Sequence, residues 1–166
     1  IDWKGDRYGI EIAKFAADQA KKNGINIVEN YSKKNSLDVI IYRGTIQHLD
    51  SPFKSIYKAS QSLRSKGKLF FLATPNTNSI YYRLFNSLPA LDPKRNFYLP
   101  SDCSLKQIAQ IFELMFLDVQ YPYINSPYSK PISDHLKFLL KLCTLPCGRF
   151  NKRINFAFYR SMINIV

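Results

Sequence analysis

Residues 37–42 (LDVIIY) constrain this chain more than any other stretch, because Val39, Ile40 and Ile41 are consecutive β-branched residues in a run with a single charge, Asp38, and no Gly or Pro. Such a run fits a strand covered on both faces rather than one face of an open antiparallel sheet. A second run of the same kind, residues 68–73 (KLFFLA), is stopped by Thr74-Pro75-Asn76. Between the two, Phe53, Ile56, Tyr57, Ser60 and Leu63 fall at helical spacing, and Ser65-Lys66-Gly67 is the expected helix stop. Strand, helix, strand in that order builds parallel sheet.

The same alternation begins upstream. Residues 8–13 (YGIEIA) read as a buried strand, residues 14–22 as a helix ended by Asn23-Gly24, and residues 25–29 (INIVE) as a further strand. The expected architecture is therefore α/β, with a mostly parallel sheet in one domain of 166 residues. The second half is less regular. Residues 77–99 are aromatic, contain Pro89 and Pro93, and read as a lid or insertion over the sheet. Residues 104–116 and 133–145 have amphipathic helical spacing, and Ser101 or Ser104 suits the cap of the first. Residues 117–123 read as a strand bent toward an edge by Pro122, and residues 154–166 as a last strand or strand pair.

Charge and cysteine content bound the function classes. The formal net charge of +12 admits nucleic acid, an anionic membrane surface or an anionic substrate as partner. The Lys and Arg residues are scattered, with no run of five, which fits a solvated basic surface. Three cysteines without dense spacing are not a disulfide scaffold, so a reducing, cytoplasmic compartment is expected. Two histidines complete no metal-ligand spacing, and no apolar run reaches the ~20 residues of a membrane span.

Three ordered stretches go beyond generic α/β: YGIEIAKFAADQAKKNGINIVEN (8–30), LDVIIYRGTIQHLDSP (37–52) and GKLFFLATPNTNSIYYRLFNSLPALDPKRNFYLPSDCSL (67–105). Together they resemble class I S-adenosylmethionine-dependent methyltransferases, the broad set that includes small-molecule, quinone and glycan-pathway enzymes. The resemblance implies a Rossmann-like sheet, mostly parallel with an antiparallel C-terminal strand, and S-adenosyl-L-methionine lying across the carboxyl ends of its strands. It implies that Glu11 accepts bonds from the ribose hydroxyls and that Ile12 and the region around residues 29–31 flank the adenine. Arg43, Gly44 and Thr45 would line the methionine end. His48 would stand beside the methyl-transfer site, and Asn76, Tyr128 and His135 would belong to the acceptor pocket.

Each residue also has a plainer reading. Glu11 suits the start of a helix, where the dipole favours it. Gly44 suits an ordinary strand-ending turn. A base at His48 fits O-methylation, where an alcohol loses its proton, but a histidine there can also cap or pack the next helix. Asp134-His135 can be a catalytic pair or a helix N-terminus.

The resemblance further implies that the glycine-rich cofactor turn and first strand lie some twenty residues before Tyr8, where this chain has only seven residues. The expectation is a single partial methyltransferase domain over residues 1–166, with its first strand missing, lid segments near 77–99 and 125–152, and no activity on its own. The expected acceptor is a small molecule or glycan precursor methylated at oxygen. A nucleic-acid methyltransferase and a non-catalytic binding or membrane-surface module are the rivals.

Overall fold

The computed structural model describes residues 4–31, 34–86, 88, 92, 94–123, 129–143 and 162–166. Tyr128, with the rest of residues 124–128, and residues 144–161 lie outside them, so parts of the expected lid near 125–152 and most of the expected last strand of 154–166 are not described. In chain order the elements are β1 (Tyr8–Gly9), α1 (Lys14–Lys22), β2 (Asn26–Ile27), β3 (Leu37–Arg43), a single 3-10 turn (Ile46–His48), α2 (Pro52–Ser62), β4 (Leu63–Pro75), α3 (Ile80–Phe85), α4 (Asp102–Ile111), β5 (Val119–Gln120), α5 (Pro131–Cys143) and β6 (Met162–Ile165).

The sheet is mixed and lies in two pieces. β1 pairs parallel with β2. The larger piece has the order β3-β4-β6-β5, in which β3 and β4 are parallel and β6 runs antiparallel to both β4 and β5. This is the expected α/β class, parallel first and antiparallel at the C-terminal end. Among the described residues no ladder joins β1 to β3. A hydroxyl cluster connects the two pieces instead. Tyr31, just after β2, hydrogen-bonds both Tyr42 on β3 and Ser55 on α2, and Tyr42 and Ser55 bond each other at 2.9 Å.

The core lies between the larger sheet and helices α2 and α4. It joins Tyr42, Leu69, Phe71 and Ile165 from the strands to Ile56 and Ala59 of α2 and Leu105 and Ile108 of α4. α2 starts at Pro52, whose missing N–H costs nothing at the first helical position. α1 stops at Asn23, and Gly24 takes φ +73°, a left-handed value that glycine adopts without steric cost.

Several boundaries differ from the sequence reading. Ser65-Lys66-Gly67 does not separate helix from strand. β4 begins at Leu63, directly after α2, and between Leu37↔Leu63 and Val39↔Lys68 the ladder advances two positions on β3 but five on β4. The surplus bulges out, with Lys66 at φ +66°. α4 starts two residues early because Ser101 and Ser104 form a capping box, each hydroxyl accepting the other residue's N–H. It ends at Ile111 rather than near 116, with Glu113 turned to φ +56°. Residues 80–85, inside the expected lid, form the short helix α3, capped by Ser79.

The N-terminus of α4 carries a pH-sensitive contact. Burial raises the Asp102 carboxyl, but Tyr121 Oη (2.6 Å), Asn78 Nδ2 (2.8 Å) and the Cys103 N–H (2.8 Å) all donate to it, and the net result is below the ordinary carboxylate range. A group depressed in the folded state adds stability that is present above its unfolded value and lost as pH falls through the folded one. The stability gap between wild type and Asp102→Asn should hold from neutral pH to about 5 and narrow below about 4. Thermal melts across that range check this.

Among the described residues, no helix is long and apolar enough to cross a membrane. Nor does any group of three His, Cys, Asp or Glu side chains among them suit a metal ion.

Candidate functional site

Open α/β sheets bind ligands outside the carboxyl ends of their parallel strands, where helix N-termini and turns converge. In this chain that edge is formed by the residues after β1 and after β3. Glu11 follows β1 by two residues and is exposed, and its Oε1 accepts the N–H of Ala13, the N-cap of α1, at 2.8 Å. The helix-start role is thus present in the structure. One carboxylate oxygen carries it, and the group retains acceptor capacity. Ile12 is 97% exposed, an unusual position for an isoleucine and an open one for a flat apolar ligand.

The turn after β3 is built more tightly. Gly44 sits at φ +60° and donates its N–H to the Leu72 carbonyl at 2.8 Å. A Cβ on Gly44 would meet only Ala73 O, at 3.7 Å, so conformation rather than crowding selects glycine here. Arg43 and Thr45 flank it, both exposed. Thr45 caps the 3-10 turn, its carbonyl accepting the His48 N–H at 2.9 Å.

That turn places His48 at the surface beside a buried amide. His48 Nδ1 lies 2.9 Å from the Arg95 carbonyl, which can only accept, so Nδ1 carries a proton. In the neutral ring the Nε2 lone pair then accepts from Gln47 Nε2 at 3.2 Å. The same Gln47 nitrogen donates to the Gly44 carbonyl at 3.1 Å, which fixes the orientation of the amide. Gln47 is 5% exposed, and its Oε1 is buried with no hydrogen-bond partner; so is Asn96 Nδ2 close by in sequence to Arg95. The Gln47 carbonyl also accepts the N–H groups of Phe97 (2.9 Å) and Tyr98 (3.3 Å). Residues 95–98 are therefore pinned across the turn that carries Gly44, Thr45 and His48.

Of the residues assigned to an acceptor pocket, Asn76 directly follows β4, at the same carboxyl edge as the turn after β3, and His135 lies on α5. Asn76 is 1% exposed and its Oδ1 accepts from the Asn78 N–H (3.0 Å) and the Asp102 N–H (3.3 Å), bracing the end of β4 against α4. His135 is exposed on α5 with Nδ1 bonded to the Pro131 carbonyl at 2.7 Å. Its neighbour Asp134 is buried and accepts from Tyr123 Oη (2.7 Å) and the Lys130 N–H (3.1 Å), the bonding of a helix N-terminus. Tyr128 lies outside the described residues.

Two features were not anticipated. Gln47, for which the sequence predicts no role, is turned inward by the 3-10 turn. Tyr42 sat unnoticed in the apolar run of β3. Burial holds its hydroxyl far above the usual range, Ser55 opposing and Tyr31 reinforcing the effect, so it stays protonated and structural.

No protein-family model matches the chain, and no curated protein matches it. Solved structures do. A SAM-dependent methyltransferase from Thermotoga maritima aligns at TM-score 0.59 and 17% identity over 96% of this chain and 70% of its own. YcgJ from Bacillus subtilis aligns at TM-score 0.56 and 16% identity over 69% of this chain and 55% of its own. The [4+2]-cyclase SpnF aligns at TM-score 0.56 and 13% identity over 99% of this chain and 65% of its own. The chain thus has the Rossmann-like fold of class I SAM-dependent methyltransferases, and it spans between 55% and 70% of the length of these three structures.

Proposed function

We propose that this chain is part of a SAM-dependent methyltransferase domain acting at oxygen on a small-molecule or glycan-pathway acceptor. The turn after β3 carries the reading. It sets a left-handed glycine, an exposed cation and an exposed histidine at the carboxyl end of a parallel strand, in a fold shared with such an enzyme. SpnF shows by its name that the same fold also serves a cyclase, so the chemistry has to come from these residues.

The residues present fit the cofactor. Glu11 keeps acceptor capacity for the ribose hydroxyls, Ile12 offers an open apolar face for the adenine, and Gly44 leaves its backbone approachable. Arg43, exposed beside it, suits the methionine carboxylate. When bound, S-adenosylmethionine supplies an activated methyl group. The protein then has to position the acceptor and take up its proton, and positioning alone supplies much of the acceleration.

His48 is the base in this proposal, acting at Nε2. An acceptor hydroxyl takes the place of Gln47 on that nitrogen. Gln47 keeps its bond to the Gly44 carbonyl, and Arg95 holds the ring through Nδ1. Residues 95–98 close the acceptor side, and the bonds from Phe97 and Tyr98 to Gln47 support that reading. His48→Gln should leave cofactor affinity within about twofold and cut transfer of a labelled methyl group about 10²-fold or more. Loss of both together would place His48 on the cofactor instead.

Calorimetric titration of S-adenosylhomocysteine tests the reading as a whole, on this chain and on one extended upstream. Saturable binding by either supports the methyltransferase; none by either removes it. The charge of +12 favours one second reading, a nucleic-acid acceptor. RNA binding that falls steeply with salt would select it.

A further inference from the structure

Helix α5 packs Asp134, Phe138 and Lys141 on its inner side, while His135 stays exposed. Asp134 and Phe138 are buried, and the Lys141 ammonium lies over the rings of Tyr81 and Phe85. The outer side is apolar: Ile132 is 81% exposed, and Leu136, Leu139 and Leu140 are each more than half exposed. At helical spacing these four side chains share an arc of about 100°. A contiguous apolar stripe facing outward marks a surface that meets a partner.

Charge identifies the class of partner. Lys130, Lys137 and Lys141 stand on or beside α5 against one acid, the buried Asp134, in a chain of net charge +12. A second copy of the chain would bring like charge onto like. Nucleic acid would answer the charge but offers nothing to four aliphatic side chains. An anionic bilayer answers both, its acyl boundary taking the aliphatic stripe and its headgroups the cations. Thirteen residues are too few to span, so the helix would lie in the interface plane.

We propose that α5 docks the protein on anionic membrane surfaces through Ile132, Leu136, Leu139 and Leu140. The test is flotation of the 166-residue chain with vesicles of phosphatidylcholine alone and with added phosphatidylglycerol. Expected is flotation with the anionic vesicles only, weakened about tenfold by high salt. Leu136→Glu with Leu139→Glu should reduce it about tenfold or more, at an unchanged thermal midpoint. In the unaltered protein the same vesicles should slow amide exchange along Pro131–Cys143, a readout that needs no variant. Failure to float, flotation retained by the double variant, or vesicles that leave exchange in α5 unchanged would each overturn the proposal. So would a double variant that melts early, since the stripe would then be packed against protein. None of these outcomes depends on cofactor binding.

Discussion

Replacing Leu105 by alanine should lower the unfolding free energy by about 3 kcal/mol, near the middle of the range for a buried leucine that leaves a cavity. Leu105 is 1% exposed and belongs to the cluster that joins α4 to β3, β4 and α2. With Ile108 it forms the buried face of the helix, while the capping box and the Asp102 bonds hold only its start. For a domain of this size the loss corresponds to a fall of roughly 6–12 °C in the thermal midpoint. Leu136→Ala on α5 provides the contrast: the same chemical change on an exposed side chain should cost no more than about 0.5 kcal/mol. Urea unfolding of the two variants measures both. A Leu105→Ala loss below about 1 kcal/mol would mean that α4 is not part of the cooperative core.

The elements that could be read from the sequence are those whose signal is local. β3 and α1 lie within a residue of their expected bounds, because an unbroken β-branched run and a helix stop at Asn23-Gly24 need no tertiary information. β1 and β2 are shorter than expected, two residues each, because a strand lasts only as long as its partner and these two pair with each other alone among the described residues. The bulge in β4 falls where a helix stop is expected, for a related reason. Ser65-Lys66-Gly67 has turn chemistry, but the ladder to β3 resumes beyond it, and register is a property of two strands. α3 falls inside the segment expected as a lid or insertion, and six residues are too few to show a helical period.

The site was legible in the same uneven way. Gly44, Thr45 and His48 share one turn, as their sequence spacing requires, and Gly44 has the left-handed backbone that justifies a glycine. The role of Gln47 was out of reach, because facing inward depends on a 3-10 rather than an α turn, a difference of a fraction of a residue per turn. Asn76 looked available because it follows a strand end, yet its amide is used to hold the start of α4, 26 residues away. The cluster of Tyr31, Tyr42 and Ser55 spans up to 24 residues of sequence, and no periodicity relates its members.

Glu11→Ala should weaken S-adenosylhomocysteine binding about 10²-fold in whichever form of the protein binds it. A carboxylate accepting from two hydroxyls contributes hydrogen bonds to a charged group, about 1.5–3 kcal/mol for each when one partner is removed. Competition with water at this exposed position favours the low end. The alternative role makes a different prediction. If Glu11 serves only the Ala13 N–H, its loss frees one amide at the start of an exposed helix, worth about 1 kcal/mol or less, and leaves affinity unchanged. Glu11→Gln separates the two further. The amide keeps an oxygen for Ala13 and so keeps α1 intact, but loses the charge that strengthens bonds to hydroxyls. Calorimetry beside thermal melts then gives two independent numbers. Affinity lost with the melt preserved assigns Glu11 to the ligand; a lowered melt with affinity preserved assigns it to α1 and moves the ribose site elsewhere.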